Sequence, residues 1–221
     1  MLVAFDTIFE QCSLTVLDMT GVVRYTQTMA GSRGQTEVIL PMLDTAFNEL
    51  GISVADVQAW AFNQGPGAFS GIRINTAVVQ ALSVANDAPC VGVSSLLTLA
   101  DTAHQSQNFP NGTTLTALID ARQQQYYAGD FIVVDGQCAP QGENHEYLLD
   151  YDNTPQADVL ISDSMVALPN IITVRPTASD IARLALGKFQ NGQSVPAHQA
   201  LPVYLRHNAW KTLAEQGKKP L

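Results

Sequence analysis

At 221 residues the chain has room for one large or two small domains and for a full core. Hydrophobic residues make up 46% and charged residues only 14%, against a typical charged share of about 25%, so neutral polar side chains must cover much of the surface. The formal net charge of −9 opposes binding to a phosphate backbone and argues against a stand-alone nucleic-acid binder.

Three segments at the N-terminus, residues 2–6, 12–18 and 22–29, alternate or run apolar as strands do, and a turn at Met19-Thr20-Gly21 makes the last two a meander. After the polar break Gly31-Ser32-Arg33-Gly34, apolar residues recur at Ile39, Leu43, Phe47 and Leu50 with helical spacing, and Gly51 is placed to end that helix. Residues 57–62 form the next strand and lead into Gly65-Pro66-Gly67-Ala68-Phe69-Ser70-Gly71-Ile72-Arg73-Ile74-Asn75. Three glycines and a proline within seven residues cannot continue a helix or a ladder, so this is a turn between strand and helix. Ser70 is the candidate N-cap for a helix beginning near Gly71 or Ile72. That helix continues over residues 74–86 without a single charged residue.

A strand at residues 90–93 and a helix over 95–104 complete the first half. Three strands, helix, strand, helix, strand, helix is the ribonuclease-H-like order of one mixed sheet. Residues 105–113, rich in Gln, Asn, Pro and Gly, mark the boundary between a lobe over 1–105 and a smaller one over 106–221. In the second half, strands at 115–120, 126–134 and 158–161 and a helix over 179–189 read as a reduced copy of the first. Each half has a strand ending in aspartate, Asp6 and Asp120, which points to a duplicated α/β architecture of two lobes.

The glycine stretch invites a phosphate-loop reading, because helix N-termini present free N–H groups to anions. Its glycines are spaced G-x-G-x-x-x-G, not G-x-G-x-x-G, and no Gly-Lys-Ser/Thr follows, so a tight turn packing strand on helix stands beside the phosphate reading. Arg73 falls in the first helical turn, where the dipole disfavours a cation, and is expected to find an anionic partner. Asp6-Thr7 at a strand's C-terminal end is equally open as a ligand loop or as a turn residue bonding its own backbone. His104, His145, His198 and His207 show no metal-ligand spacing, and Ser70 has no assignable base, so no catalytic residue, cofactor or metal set emerges. Cys12, Cys90 and Cys138 are odd in number and form no C-x-x-C pair, which with the lack of a leader or membrane-length apolar run predicts a soluble cytoplasmic protein.

Four blocks, Leu2-Val3-Ala4-Phe5-Asp6-Thr7, the glycine loop, Ala117-Leu118-Ile119-Asp120-Ala121-Arg122 and Pro202-Val203-Tyr204-Leu205-Arg206, resemble in order and separation the TsaB (YeaZ) family. The loop carries the resemblance, the usual family form being G-P-G-S-F-T-G-L-R-I-G. The chain departs from the family pattern at Gln35, where a histidine is frequent, and at Asn75, which replaces the last glycine. The resemblance implies an actin-like (ASKHA) fold of two ribonuclease-H-like sheets, with the last roughly 20 residues returning to the first lobe. It implies a non-catalytic scaffold for threonylcarbamoyladenosine formation in ANN-decoding tRNAs, without cofactor or metal of its own. Its partners would be a TsaD transferase, TsaE in the larger assembly, a second copy of itself when TsaD is absent, and tRNA only through the complex. Gly65, Pro66, Gly67, Phe69, Ser70, Gly71 and Arg73 would form the structural loop. The uncharged helix and the helix before it would be the partner surface, through Val38, Met42, Ile74, Val78, Val79 and Leu82. An independent actin-like ATPase or kinase and a peptidase are the alternatives; the first would need glycines after Asp6 and Asp120, the second a nucleophile or metal set.

Overall fold

The computed structural model describes residues 1–31, 34–163, 166 and 168–206. His207, the end of the chain, and Ser32 and Arg33 of the polar break lie outside them. The first sheet has five strands in the order β3-β2-β1-β4-β5. They are β1 (Leu2–Asp6), β2 (Gln11–Leu17), β3 (Val23–Ala30), β4 (Ala59–Gly65) and β5 (Cys90–Ser94). β1 pairs antiparallel with β2, Asp6 opposite Ser13, and parallel with β4, Phe5 opposite Phe62. The second sheet, in the order β11-β10-β6-β7-β8, repeats that plan. Its strands are β6 (Thr114–Asp120), β7 (Gln125–Val134), β8 (Gln137–Pro140), β10 (Val159–Ser162) and β11 (Ile171–Thr173), and β9 (Glu146–Asp150) also pairs with β7. β6 is antiparallel to β7 and parallel to β10, as β1 is to β2 and β4. The duplication expected from the two strand-ending aspartates is therefore present in the topology itself.

The alternation of side chains along a strand divides the first lobe into two cores. One face of the first sheet carries Val3, Phe5, Leu14, Trp60 and Phe62, which pack beneath α1 (Gln35–Leu50) and α2 (Phe69–Asn86), with the Phe5 and Trp60 rings stacked at 6.3 Å. The other face carries Leu2, Ala4, Ala59, Ala61, Val91 and Val93 against α4 (Ala178–Gln190). α3 (Ser95–Gln107) follows β5 in sequence yet lays Leu96, Leu99, Ala100 and Ala103 on the second sheet. α4 follows β11 yet packs on the first. The helix after each sheet thus covers the other sheet, and after α4 the chain runs back along the first lobe, where Val195 bridges Cys90 and Ala200 enters the core.

Two sequence expectations need correction. α2 begins at Phe69 with Ala68 as N-cap and no side-chain cap, so Ser70 is not the capping residue. Met42, expected to point off the core-facing stripe of α1, is buried among Phe5, Trp60 and their neighbours. The apolar stripe is wider than four-residue spacing suggests and takes Ile39, Met42, Leu43, Ala46 and Phe47 together. The exposed apolar side chain on that helix is Leu40.

Where α3 and α4 meet, Arg183 pairs with the buried Asp101. Arg183 is itself 41% exposed, so solvent screens part of the loss, and Arg183→Leu should lower stability by about 1–2 kcal/mol. Asp101→Asn on that background should restore much of it in denaturant unfolding, whereas additive losses would show that the pair does not hold the seam.

Candidate functional site

The glycine loop holds the end of β4 and the start of α2 against the turn after β1. Gly65 (φ +95°) and Gly67 (φ +156°) have backbone angles that L side chains resist, and a Cβ on Gly67 would stand 2.5 Å from Ile8 Cγ2. Gly71 has an ordinary φ; its requirement is space, because a Cβ there would be driven into the Thr7 carbonyl oxygen. Of the remaining loop residues, Pro66 is buried and Ser70 is exposed as the second residue of α2. Phe69 is exposed on the rim, and Arg73 lies over its ring, 3.7 Å from the centroid, donating from Nε to the Tyr204 hydroxyl at 3.2 Å. Among the described residues no carboxylate pairs with Arg73, so the expected anionic partner is replaced by aromatic faces and a phenol.

Behind the loop lies a buried polar network at the C-terminal ends of β1 and β4. The Thr7 hydroxyl donates to the Gly71 carbonyl at 2.7 Å and lies 2.9 Å from Asn75 Oδ1, while Asn75 Nδ2 donates to the Asn63 carbonyl at 3.2 Å. Gln35 Nε2 donates to the carbonyls of Thr7 and Gln11 at 3.0 and 2.6 Å. The two positions at which this chain departs from the family pattern therefore meet on one residue, Thr7. Asp6 is fully buried and accepts from Ile8 N, Asn63 Nδ2 and Gln11 Nε2, each at 3.1 Å. Asn63 Oδ1 in turn accepts from Gly65 N and Ser95 Oγ. Burial pushes the Asp6 carboxyl up to about 6, opposed by its three donors. Sequence reasoning missed Asn63, Gln11 and Ser95; the available signal was a polar Asn63-Gln64 pair closing an otherwise apolar strand.

In front of the loop, between the lobes, is a cleft of about 460 Å³. One wall is the start of α2 with Thr7, Glu10 and Gln35; the other is the β6–β7 turn, Ile119 to Arg122, with Tyr127 and Asp163. Three carboxylates face one guanidinium there, and Arg122 is itself 3.2 Å from Asp120. Asp120, unlike Asp6, opens to this cleft, accepting from Arg122 N at 2.7 Å and the Tyr151 hydroxyl at 2.8 Å. Arg122, Gln123 and Gln124 take φ of 62°, 54° and 59°, a left-handed run without glycine that costs roughly 1 kcal/mol per residue. Among the described residues no group of three His, Cys, Asp or Glu is placed to hold a metal ion. His104 is buried with Nε2 3.0 Å from the Gly136 carbonyl, and His145 meets the edge of Phe131, both structural positions.

On its far side α2 turns away from the core. Val79, in the expected partner set, is 0% exposed and cannot be touched from outside, like Met42. Ile74, Val78, Leu82 and, on α1, Val38 are half-buried against the core. Beyond Phe69, Ser70 and Arg73 in its exposed first turn, the side chains that face outward on α2 are Ala77, Ala81, Val84 and Ala85, Val84 being 72% exposed, within the stretch without charge.

A model of the family described as "TsaD: tRNA N6-adenosine threonylcarbamoyltransferase" matches residues 28–212. The tRNA threonylcarbamoyladenosine biosynthesis protein TsaB of Escherichia coli (strain K12) is 31% identical over 232 aligned positions, which cover 96% of this chain and 97% of that protein. The protein of the same name from Haemophilus influenzae is 29% identical, with 96% of each chain covered. Among solved structures, a Pseudomonas aeruginosa protein described as uncharacterized with similarity to peptidase YEAZ superposes with a TM-score of 0.80 at 32% identity, covering 93% of this chain and 99% of its own. Among the described residues no helix is long and apolar enough to cross a membrane.

Two predictions follow from the packing at Thr7 and from the charge on Asp6. Gly71→Ala should cost about 3 kcal/mol or more in unfolding free energy, because backbone and not a flexible side chain blocks the added methyl; a loss under about 1 kcal/mol would mean that α2 can shift away. Folded Asp6 holds its proton more tightly than unfolded Asp6, so the linked stability is complete below about pH 4 and is lost as pH rises through about 6. Wild type should therefore lose stability between pH 4 and 7 relative to Asp6→Asn, by at most about 3 kcal/mol; parallel denaturation profiles for the two would contradict this.

Proposed function

The chain belongs to the TsaB family and, through residues 28–212, to the wider family of the TsaD transferase. On that premise we propose that it serves tRNA threonylcarbamoyladenosine biosynthesis as a non-catalytic scaffold, binding a TsaD transferase through the outer face of α2. The observation that carries the pathway assignment is the identity to TsaB over nearly the whole length of both chains. Support for the scaffold role comes from Asp6: the strand-end carboxylate that a phosphotransfer loop would present to its ligand is sealed from solvent and held by three internal donors. The turn that follows, Thr7-Ile8, is filled from the other side by Gly67, Gly71 and Gln35.

Support for the partner surface comes from α2. A helix lying on a lobe normally shows water a charged face, yet Ala77, Ala81, Val84 and Ala85 face outward with no charge among them. Leu40 of α1 is a further exposed apolar side chain on the same lobe. In this reading residues 1–105 carry the partner surface, residues 106–221 supply the smaller lobe's sheet together with α4, which covers the first sheet, and the assembly works in the cytoplasm. TsaE joins the TsaD-bound assembly, a second copy of the chain takes the face when TsaD is absent, and tRNA is met only through the complex, in keeping with the net charge of −9.

Co-elution with a TsaD homologue tests the reading. Ala81→Glu and Val84→Glu replace outward side chains and should leave the unfolding midpoint unchanged. Both should weaken TsaD binding at least about 100-fold, since a lone carboxylate in a desolvated interface costs several kcal/mol. Wild-type co-elution by both variants would place the interface elsewhere.

A further inference from the structure

After Ala200 the chain crosses from one wall of the cleft to the other within four residues. At the first wall Val203 N donates to the Gln64 carbonyl at 2.8 Å, and the Val203 carbonyl closes over Gly65, 3.1 Å from where a Cβ would stand. The Tyr204 ring packs on Phe69 with centroids 5.9 Å apart, and its hydroxyl accepts from Arg73. At the second wall Leu205 packs against the core of the second lobe. Arg206 then donates from Nη1 to Gln123 Oε1 at 2.9 Å and from Nη2 to the Ala121 carbonyl at 3.2 Å.

What Arg206 grips is the left-handed run at Arg122, Gln123 and Gln124. Non-glycine residues stay in that region only where their surroundings over-determine them. The ends of the turn are held from within the second lobe, by Ala121 N to the Gln125 carbonyl and Tyr151 N to the Gln124 carbonyl, both at 2.9 Å. Within the turn Gln125 N also donates to the Arg122 carbonyl at 3.1 Å. The Arg206 guanidinium adds a second hold, on the Gln123 side chain and the Ala121 carbonyl, its planar fork reaching both at once as the point charge of a lysine does not.

We infer that residues 203–206 are a strap coupling the two walls of the cleft, so that the glycine loop and the 121–124 turn loosen and tighten together, with Arg206 as the latch. A force that displaces Phe69 is carried through Tyr204 to Arg206 and the strained turn, and the reverse holds. Because Phe69 is the first residue of α2, the strap also ties the cleft to that helix, whichever partner the helix meets.

Hydrogen exchange of the full chain, read by peptide, tests the coupling from both ends. Arg206→Ala should raise exchange at least about tenfold in residues 121–125, the population change expected from losing its charge-assisted hydrogen bonds to Gln123 and Ala121. It should raise exchange in the glycine loop as well, while β1 and β6 keep their protection. Arg206→Lys, which keeps the charge and loses the fork, should behave as Arg206→Ala. Tyr204→Leu, which touches only the first wall, should raise exchange in residues 121–125. Changes confined to the wall that carries the substitution, or Arg206→Lys matching wild type, would overturn the strap.

Discussion

The structure depends on one close approach, that of the Gly71 backbone to the carbonyl of Thr7, where no side chain fits. With α2 seated that deeply, Asn75 one turn further on reaches both Thr7 and Asn63, and the buried ends of β1 and β4 are satisfied without water. The same seating fixes the rotation of α2. Ile72 and Val79 go inward, Ala77, Ala81 and Val84 go outward, and the first residue, Phe69, is left on the rim of the cleft. Shape at a single glycine thus determines both what is sealed inside the first lobe and what it shows outside.

The two halves of the duplication have used their strand-ending aspartates differently. Asp6 is enclosed by donors from β2, β4 and the turn, and burial raises its pKa. Asp120 lies at the corresponding end of β6 but faces the cleft, beside Arg122 and Tyr151. Burying a carboxylate is costly unless donors surround it, as they do Asp6, whereas a carboxylate open to a cleft stays within reach of a ligand. The first lobe has taken the structural course: its carboxylate is internal, and its outer helix shows Ala77, Ala81 and Val84 to solvent.

Much of this was legible in the sequence because it rests on periodicity and glycine placement. β1 and β5 are short apolar runs, Gly51 does close α1 with a left-handed residue, and the repeated strand-aspartate pattern does mark a duplicated sheet. The start of α2 was misplaced because Ser70 has the chemistry of a cap; the helix begins earlier, at Phe69, with Ala68 at the N-cap position and no side-chain cap. β8, β9 and β11 escaped notice because they are three to five residues long and owe their conformation to the strands beside them. The exchange of α3 and α4 between sheets was also invisible, since an apolar stripe states that a helix is covered and not by which sheet. The polar network at Thr7 was half visible: Gln35 and Asn75 stood out as departures, but only the fold shows that they converge.

The central claim, that this chain supports threonylcarbamoyladenosine formation by holding a partner and not by its own chemistry, is tested most directly by reconstituting tRNA modification with a TsaD homologue and TsaE. Asp6→Asn should support modification at the wild-type rate, while Ala81→Glu, equally folded, should support none. Loss of modification with Asp6→Asn while its binding to the TsaD homologue is intact would contradict the account and make the buried carboxylate part of the reaction.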